Sequence, residues 1–594
     1  MAGQPLRIAN CSGFYGDRLA AAREMVDGGP IDVLSGDWLA ELTMLILARN
    51  RLRDPGAGYA RTFVTQMEQV MGTCLDRGIK VVTNAGGLNP AGCADAVAAV
   101  ADALGLSPAI AYVEGDDLMG RLAELRAAGH DLAHLDTGEA LGDREVLTAN
   151  AYVGGWGIAN ALSRGADIVI TGRTTDAALA VGPAAWRHGW ARDDWDALAG
   201  AVVAGHVIEC GAQATGGNYS FFTEVAGLEH PGFPIAEIAA DGSSVITKHE
   251  GTGGAVTIGT VTAQLLYEIG GPAYLNPDVI ARFDTIALAG AGPDRVAISG
   301  VRGEPPPPTS KVCINYVGGH RTTMTLALTG LDIEEKAALV ERTLWAGIPG
   351  GKEAFAEVDV QLLRTDHDDP GSNEQAVAQL RITVKDPDER KVGRALSGQI
   401  TEMALASYPG FFGLGGGQAG GSTYGVYWPA LIPSDLVWQE VVLNSTRTVV
   451  ESTPPSSNAR VGVESKENTD STPTHGFGGG TERAPIGRVV GARSGDKGGN
   501  ANLGVWARTD DGYAWLDGFL TTERLRELLV ETRDLDVERY ALPNIRAINF
   551  VIKGLLGEGV ASSTRVDGQA KGLGEYLRAK VVDVPHSLLD AADG

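Results

Sequence analysis

The stretch Asp167-Ile-Val-Ile-Thr-Gly-Arg-Thr-Thr-Asp176 joins an almost uninterrupted apolar run to a glycine, an arginine and residues that favour the start of a helix. A strand that is apolar on both faces is typical of a parallel sheet covered by helices on both sides. The segment Ile79–Thr83 has the same character. These two segments predict an α/β fold built on a buried parallel sheet.

Further apolar segments repeat this pattern over residues 6–205. Each is followed by a segment with amphipathic helical spacing, and such alternation of strands and helices indicates a parallel sheet. The predicted strands are Leu6–Asn10, Ile31–Leu34, Ile79–Thr83, Ala109–Val113 and Asp167–Thr171. We therefore predict that residues 6–205 form a parallel α/β part with helices on both faces.

The pattern changes from about Tyr219 onward, where β-rich segments are mixed with helical ones. This mixed order is typical of an α+β arrangement. We predict an α+β part over residues 219–449, which completes a main domain of residues 5–450. The predicted strands lie near Val312–Tyr316, Phe355–Leu363 and Ala378–Val384, and the predicted helices lie near Ile333–Trp345 and Glu389–Ala406.

A stretch rich in proline, glycine and serine covers residues 451–484. It includes Ser452-Thr-Pro-Pro-Ser-Ser-Asn458, which has too little apolar surface to order itself. We interpret residues 451–484 as a flexible linker. The following residues 485–590 contain strands and a helix near Thr521–Thr532, enough for a small separate domain.

Composition and charge exclude several classes of partner. With 49 basic and 74 acidic side chains, the formal charge of −25 argues against nucleic acid, whose phosphates need cationic surfaces. No apolar run is long enough for a membrane span, and the sequence begins without a signal-like segment. The five cysteines form no CxxC pair. We expect a soluble cytoplasmic protein, and a homo-oligomer because large apolar chains often bury symmetric contacts.

Candidate functional residues follow the predicted parallel strands, where the ligands of open α/β sheets bind. Each loop also fits a simple helix cap, which stabilises a helix by about 1 kcal/mol and needs no ligand. Arg173 is the most informative residue, because a guanidinium beside a helix start can bind a carboxylate or a phosphate. The candidates in these loops are Ser12, Asp17, Asp37, Asn84, Gly86, Gly87, Arg173, Thr174, Thr175 and Asp176.

A glycine-rich stretch, Lys248-His-Glu-Gly-Thr-Gly-Gly254, adds His249 and Glu250 as a candidate acid/base pair and Gly253 and Gly254 as candidate binding residues. A single histidine is also often only a hydrogen-bonded structural residue. The chain lacks the glycine motifs of dinucleotide and ATP sites, so neither cofactor is predicted.

Other candidate motifs carry weaker signals. Cys210 follows His206 on a predicted helix, but the negative end of the helix dipole favours an inert thiol. The S-x-x-K match at Ser494 and Lys497 is short enough to arise by chance. The acidic run from Asp366 is typical of a solvated turn.

Several segments together resemble the main domain of acyclic terpene utilisation (AtuA) proteins. They are Gly36–Met44, Asn84–Pro90, Ala166–Asp176, Glu209–Asn218 and Lys248–Gly254. Beyond the linker, Ala492–Gly504 resembles the ferredoxin-like domain that is often fused to it. The resemblance implies an α/β main domain and a small ferredoxin-like α+β domain at the C-terminus.

The resemblance also implies a role in the catabolism of acyclic isoprenoids, with a branched acyl-CoA as substrate. The implied reaction is carbon–carbon cleavage of a 3-hydroxy-3-isohexenylglutaryl-CoA type intermediate. In that reaction Asp17 or Asp37 would remove the hydroxyl proton, Arg173 would hold an anionic group, and His249 or Glu250 would reprotonate the enolate.

Cofactors and two other function classes are left open by the sequence. CoA enters as part of the substrate, a divalent metal stays open as a cofactor, and no residue is assigned to a metal. A hydrolase of acyl thioesters and a non-catalytic binding or assembly protein of the same pathway also fit the sequence.

Overall fold

The computed structural model describes residues 3–414, 421–452 and 480–593. The chain forms two compact units. The first comprises Met1–Asn315, Tyr427–Val560 and Asp567–Gly594, and the second comprises Tyr316–Val426 and Ala561–Val566. Most of the predicted linker, residues 453–479, lies outside the described residues.

The first unit is built on a sheet of eleven strands within the described part of the chain. Five neighbouring strands at its centre run parallel, with pairs such as Ile8 with Val33 and Val81 with Ile168. In spatial order the strands are Ala287–Gly290, Val296–Ser299, Ser244–Lys248, Pro234–Ile238, Leu6–Asn10, Val33–Gly36, Lys80–Thr83, Ile168–Thr171, Ile110–Glu114, Gln439–Leu443 and Thr446–Val450.

This centre confirms the predicted α/β class with its parallel sheet. The sheet also extends beyond the predicted strands, because Pro234–Ile238 pairs antiparallel with Leu6–Asn10 on one side. On the other side, Gln439–Leu443 pairs antiparallel with Ile110–Glu114. Strands from residues 219–449 therefore complete the sheet that residues 6–205 begin, and they satisfy backbone groups that would otherwise stay unpaired at its edges.

Helices of the first unit follow the parallel strands and pack on the sheet. The helix Pro90–Leu104 begins where the Asn89 side chain accepts a hydrogen bond from the Gly92 backbone N–H at 3.0 Å, with a proline in the first turn. The main helices are Ala21–Asp27, Glu41–Arg53, Arg61–Arg77, Pro90–Leu104, Leu122–Ala127, Trp156–Ser163, Ala178–His188, Trp195–Ile208 and Ile258–Leu265.

The ferredoxin-like part contains a four-stranded antiparallel sheet. Its strands lie in the order Val490–Lys497, Asn500–Ala507, Ala547–Ile552 and Val537–Leu542. Its helices are Asp510–Phe519, Thr522–Leu528, Leu573–Arg578 and His586–Asp593, and Thr481–Pro485 pairs with Val581–Pro585.

The ferredoxin-like part belongs to the first compact unit. Trp506 and Leu542 join the apolar core that contains Val261 and Leu266 of the main part. The Asn549 side chain also donates to the Gly270 carbonyl at 2.7 Å. The two parts are therefore packed together through both apolar and polar contacts.

The second unit is an α+β body. The helix Ile333–Gly347 buries Val340 and Leu344 in a core that also contains Leu380. Its strands are Glu357–Leu363, Val377–Asp386 and Phe412–Gly413, with part of Thr309–Thr329 and of Ser422–Pro433, and a further helix covers Leu396–Glu402. In the described residues of both units, no helix is long and apolar enough to cross a membrane.

Candidate functional site

The loops after the parallel strands meet at one edge of the sheet and are tied together by hydrogen bonds. The Asn84 side chain donates to Asp37 Oδ1 at 2.5 Å and accepts from the Trp38 backbone N–H at 2.8 Å. The Asp37 backbone N–H donates to the Ser12 carbonyl at 2.9 Å. The structure therefore brings the predicted residues Ser12, Asp37 and Asn84 into one cluster.

Arg173 lies at the centre of this cluster, with a side chain only 3% exposed. Its Nη1 donates to the Leu39 carbonyl at 3.0 Å and to Asp176 Oδ1 at 2.9 Å. The guanidinium carbon lies 4.3 Å from the centroid of the Tyr152 ring, a cation–π distance. Its Nε is buried and makes no hydrogen bond within the described structure. One donor of this buried guanidinium therefore has no hydrogen-bond partner in the described residues.

Asp116 fixes the backbone from which Arg173 projects. Its Oδ2 accepts hydrogen bonds from the Arg173 backbone N–H and from the Asn150 side chain, both at 2.8 Å. Burial raises the pKa of Asp116 to about 7, although these two hydrogen bonds oppose the shift. A Cβ at Gly172 would lie 2.3 Å from Asp116 Oδ1, so only glycine fits between the strand and this carboxyl.

A second set of charges adjoins Arg173 through Tyr152. The Tyr152 hydroxyl donates to Glu41 Oε1 at 2.7 Å, and Lys311 Nζ lies 3.8 Å from the same oxygen. Burial opposes ionisation of Glu41, but the charges of Lys311 and Arg173 and the hydrogen bond from Tyr152 outweigh it and lower the pKa to about 2. Glu41 is therefore a carboxylate at neutral pH.

A small cavity opens beside this cluster. Its polar lining consists of Asn10, Ser35, Asp37, Asp176 and Glu209, and its apolar side is formed by Leu179, Ala180, Gly205 and Ile208. The cavity is thus a small pocket in which three carboxyl groups face one apolar wall.

Two of these carboxyl groups are strongly perturbed. Burial and the nearby charge of Asp176 raise the pKa of Asp37 well above its usual value, against the opposing effect of Arg173. Burial and Asp176 also raise the pKa of Glu209, and Arg173 again opposes the shift. Glu209 Oε2 is buried and makes no hydrogen bond in the described residues. Perturbed carboxyls in a cavity are typical of proton-transfer sites.

His206 lies behind Glu209, with its Nδ1 3.4 Å from Glu209 Oε1. Burial lowers the pKa of His206 to about 4, so the imidazole is neutral at physiological pH. Cys210 follows on the same segment, and burial raises the pKa of its thiol well above the usual value. A thiol in this state is a poor nucleophile, as expected from the sequence.

Other predicted residues of these loops have structural contacts. Asp17 accepts hydrogen bonds from the Gly13 and Arg18 backbone N–H groups at 2.8 and 2.7 Å. A Cβ at Gly86 would lie 2.5 Å from the Thr171 carbonyl oxygen, and one at Gly87 would lie 2.3 Å from a Leu47 methyl carbon. Both glycines allow the loop Asn84–Pro90 to pack closely against its neighbours.

Thr174 and Thr175 follow Arg173 along the same loop. The backbone of Thr174 forms a parallel bridge with Val153, and the Thr175 N–H donates to the Val153 carbonyl at 2.9 Å. The hydroxyl oxygens of both threonines are buried without a hydrogen-bond partner in the described residues. They stay candidates for ligand contact.

The predicted residues of the glycine-rich stretch Lys248–Gly254 make their contacts away from this cluster. His249 Nε2 is 2.9 Å from the Met25 carbonyl oxygen, and burial lowers the pKa of His249. Glu250 is exposed. A Cβ at Gly253 would lie 2.1 Å from the Gly227 carbonyl oxygen, and one at Gly254 would lie 2.3 Å from that of Thr215. No hydrogen bond or ion pair in the described structure joins these four residues to Arg173.

Several residues of the cluster were missed by the sequence interpretation. Asp116 lies two residues after the strand Ile110–Glu114, and a search of the loop after this strand would have found it. Glu209 lies in one of the segments that carry the family resemblance. Glu41, Tyr152 and Lys311 have no local motif, since distant segments bring them together.

Metal binding has no support in the geometry. Across residues 3–414, 421–452 and 480–593, no three His, Cys, Asp or Glu side chains are grouped so as to hold a metal ion.

Residues 6–443 match the model of the acyclic terpene utilisation family protein AtuA. The chain belongs to the acyclic terpene utilisation family. Residues 484–583 of this AtuA family member match the AtuA ferredoxin-like domain, which confirms the second resemblance. No curated protein and no solved structure matches the chain. Membership of the AtuA family implies a role in acyclic terpene utilisation. All the residues that line the cavity lie within residues 6–443, the part of the chain that matches the AtuA model.

Proposed function

We propose that this AtuA family member is a carbon–carbon lyase that cleaves a branched 3-hydroxyacyl-CoA during the utilisation of acyclic terpenes. The observation that carries the proposal is the cavity lined by Asp37 and Glu209, two carboxyls of raised pKa, and by Asp176, which accepts a hydrogen bond from the buried guanidinium of Arg173. Cleavage of a 3-hydroxyacyl group needs both proton transfer and stabilisation of an anion.

Arg173 supplies the anion-binding function in this proposal. Its Nη1 is already bonded to Leu39 and Asp176, which orients the guanidinium, while the free Nε can donate to a carboxylate or an enolate oxygen. The cation also remains charged at every working pH. The contact with a developing enolate would strengthen as negative charge accumulates on oxygen.

Asp37 and Glu209 supply the proton transfers. One of them, in its ionised form, removes the proton of the tertiary hydroxyl as the C2–C3 bond breaks. The electrons of the O–H bond form the new ketone, and those of the C–C bond pass into the enolate of the departing group. The second carboxyl, in its protonated form, delivers a proton to the enolate carbon. Raised pKa values suit both roles near neutral pH.

The cavity volume limits what enters. The cavity is much smaller than the pockets that enclose drug-sized ligands, which measure roughly 300–1,000 Å³. Entry of the reacting carbons therefore requires the cavity to open further, with the CoA portion held outside. Its apolar wall of Leu179, Ala180 and Ile208 suits a branched alkyl chain.

Turnover by the full chain tests this proposal. The protein is incubated with 3-hydroxy-3-methylglutaryl-CoA and with longer branched analogues, and ketone and acyl products are measured by mass spectrometry. We expect ketone formation that falls at least a hundredfold in D37N and E209Q, which keep the side-chain shape but remove the proton-transfer group.

The matched control is E335Q, because Glu335 is an exposed carboxyl on the helix Ile333–Gly347 of the second unit. It should keep the wild-type rate. Release of free CoA without a ketone would instead support a thioester hydrolase. Unchanged turnover in both D37N and E209Q would overturn the proposed site.

A further inference from the structure

His206 is a buried histidine that contacts Glu209, one of the residues that line the cavity. The helix Trp195–Ile208 carries His206 in its last turn, and Glu209 follows with helical backbone angles of φ −61° and ψ −36°. Side chains three residues apart on a helix lie on the same side of it. His206 Nδ1 is accordingly 3.4 Å from Glu209 Oε1. The contact joins an imidazole behind the cavity to a carboxyl group that lines it.

Aromatic rings hold the imidazole of His206 in place. Its centroid lies 5.1 Å from that of the Tyr274 ring and 5.5 Å from that of the Phe283 ring. His206 and Phe283 have no exposed surface. A ring that is close-packed in this way has little room to rotate. His206 Nδ1 therefore keeps its direction toward Glu209.

The position of Glu209 at the end of a helix disfavours its ionised form. The carbonyl end of a helix carries a partial negative charge, which repels a carboxylate beside it. Glu209 Oε2 is also buried and accepts no hydrogen bond in the described part of the chain. A carboxylate at this position would be desolvated without a compensating hydrogen bond at Oε2. The surroundings of Glu209 therefore favour its protonated form.

Asp37, on the same cavity, has hydrogen-bond donors that Glu209 lacks. Its Oδ1 accepts from the Asn84 side chain at 2.5 Å and from the Leu39 backbone N–H at 3.0 Å. Hydrogen bonds from N–H donors favour the ionised form of a carboxyl group. Burial raises the pKa of both Asp37 and Glu209, but these two donors oppose the shift at Asp37. They favour Asp37 as the first of the two to ionise.

We propose that Glu209 is the proton donor of the reaction, that Asp37 is the proton acceptor, and that His206 is a positioning residue for Glu209. This inference rests on the proposed function for the reaction itself, and it names the role of each carboxyl group. The Nδ1–H of His206 is directed at Glu209 Oε1, so the acidic proton of Glu209 is on Oε2.

The protons balance over one cycle under this assignment. Asp37 takes the hydroxyl proton as the C2–C3 bond breaks, and Glu209 gives its Oε2 proton to C2 of the enolate. Glu209 is then a carboxylate, and the Nδ1–H of His206 stabilises it through a contact that shortens as the charge develops. Asp37 and Glu209 line the same cavity, through which the proton returns from Asp37 to Glu209 after the products leave.

Hydrogen exchange at the departing acyl group tests the two carboxyl roles. The full chain is incubated in heavy water with acetyl-CoA, the departing group of 3-hydroxy-3-methylglutaryl-CoA, and deuterium at C2 is measured by mass spectrometry. This exchange uses only the enolate half of the reaction, in which the Glu209 carboxylate removes a proton from C2 and returns a deuteron.

The two carboxyl variants should differ in this exchange. We expect E209Q to lower the exchange rate by about a hundredfold or more, because the group that transfers the proton is removed. D37N should lose cleavage but keep an exchange rate within about threefold of the wild type, because Asp37 acts only on the hydroxyl group. Loss of exchange in D37N, its retention in E209Q, or its absence in the wild type would overturn the assignment.

Variants of His206 test the positioning role. Asparagine places its side-chain N–H close to the position of Nδ1, whereas phenylalanine keeps a ring without a donor. We expect H206F to lower the exchange rate by about tenfold or more and H206N to keep most of it. The matched control is H367F, because His367 is exposed in the second unit, and it should exchange as the wild type does.

A melting temperature for each variant establishes that it is folded. An exchange rate in H206F equal to that of the wild type would overturn the positioning role. A folded H206N that exchanges as slowly as H206F would overturn it as well, because the donor at Nδ1 would then not matter.

A pH series adds a readout that a merely structural histidine would not change. The exchange rate should rise with pH as Glu209 ionises, and loss of the Nδ1–H donor should raise the pKa of Glu209, which moves this rise to higher pH in H206F. Burial lowers the pKa of His206 to about 4, so His206 stays neutral over this range. Coincident profiles in H206F and the wild type would contradict the contact.

The other groups around the pair are the same in the wild type and H206F, so the difference between their profiles isolates the contact. Besides Asp37, these titratable and charged groups are Asp176, Glu268, Arg173, Lys497, Cys210 and Tyr274.

The exchange series separates this inference from the proposed function. Exchange that depends on Glu209 and His206, with no cleavage of any branched 3-hydroxyacyl-CoA by the wild type, would support the proton donor and overturn the lyase. Cleavage by the wild type, with exchange that survives in E209Q, would overturn the assignment alone.

Discussion

The guanidinium of Arg173 and the ring of Tyr152 are stacked in the centre of the candidate site, with 4.3 Å between the guanidinium carbon and the ring centroid. The same ring donates its hydroxyl hydrogen to Glu41 and has Lys311 Nζ 5.0 Å from its centroid. Tyr152 therefore links two cations and a carboxylate. Its position restricts the orientation of Arg173, whose Nε has no hydrogen-bond partner in the described residues.

Replacement of Arg173 by lysine should show whether ligand binding needs only a positive charge or also the planar guanidinium group. Lysine keeps the charge but loses the planar group that bonds Leu39 and Asp176 and offers Nε. We expect R173K to weaken binding of 3-hydroxy-3-methylglutaryl-CoA by about 2 kcal/mol, roughly thirtyfold, in titration calorimetry. Wild-type affinity in R173K would mean that the guanidinium does not contact the ligand.

Alanine at position 173 should also affect folding. Arg173 is buried beside Asp37 and Asp176, and removal of one partner from a buried ion pair leaves the other uncompensated. We expect R173A to lower the free energy of unfolding by about 3 kcal/mol in urea titrations. A loss of only about 1 kcal/mol, as expected for a simple helix-start residue, would contradict this electrostatic role.

The hydroxyl group of Tyr152 should contribute to stability, and its ring should contribute to ligand binding by positioning Arg173. Phenylalanine keeps the ring under Arg173 but removes the hydrogen bond to Glu41, so Y152F should lower the free energy of unfolding by about 1 kcal/mol. Leucine also removes the cation–π contact, and Y152L should weaken ligand binding more than Y152F does. Equal affinities in these two variants would show that the ring does not position Arg173.

The raised pKa of Asp116 predicts a pH dependence of stability. Its pKa is about 7 in the folded protein and about 4 when unfolded, so the folded state holds an extra proton between these values. The contribution of Asp116 to the free energy of unfolding is fully present below about pH 4. As the pH rises from about 4 to about 7, this contribution is lost at about 1.4 kcal/mol per pH unit.

Asparagine at position 116 removes this titration but can keep an oxygen that accepts from Arg173 and Asn150. D116N should therefore gain stability relative to the wild type between pH 5 and 8, by about 2 kcal/mol or more in urea titrations. The control is D590N, because Asp590 is exposed. Parallel pH profiles for D116N and the wild type would show that Asp116 does not hold this proton.

The central sheet could be predicted from the sequence because its strands are apolar on both faces. The predicted segments Leu6–Asn10 and Asp167–Thr171 correspond to strands Leu6–Asn10 and Ile168–Thr171. The outer strands could not be assigned to the same sheet, because Pro234–Ile238 and Gln439–Leu443 lie far along the chain. Their pairing depends on contacts between distant segments, which local periodicity does not encode.

The candidate site was predictable where its residues directly follow a strand. Asp37, Asn84, Arg173 and Asp176 were found in this way, and the structure brings them together. Glu41 could not be found, because the residues that contact it, Tyr152 and Lys311, come from distant segments.

The segment 451–484 should be the first site of proteolysis, as its proline- and glycine-rich composition predicts. The two fragments should stay together in size-exclusion chromatography, because Trp506 and Asn549 are packed on the main part. Separation requires denaturant. First cleavage within residues 6–205, or separation of the fragments in buffer alone, would contradict the domain arrangement.

The most direct test of the candidate site is a crystal structure of the full chain with 3-methylglutaryl-CoA, which lacks the reactive hydroxyl group. The account predicts an oxygen of the acyl group within hydrogen-bond distance of Arg173 Nε, with C3 between the carboxyl groups of Asp37 and Glu209. A bound acyl group that contacts none of these three residues would contradict it.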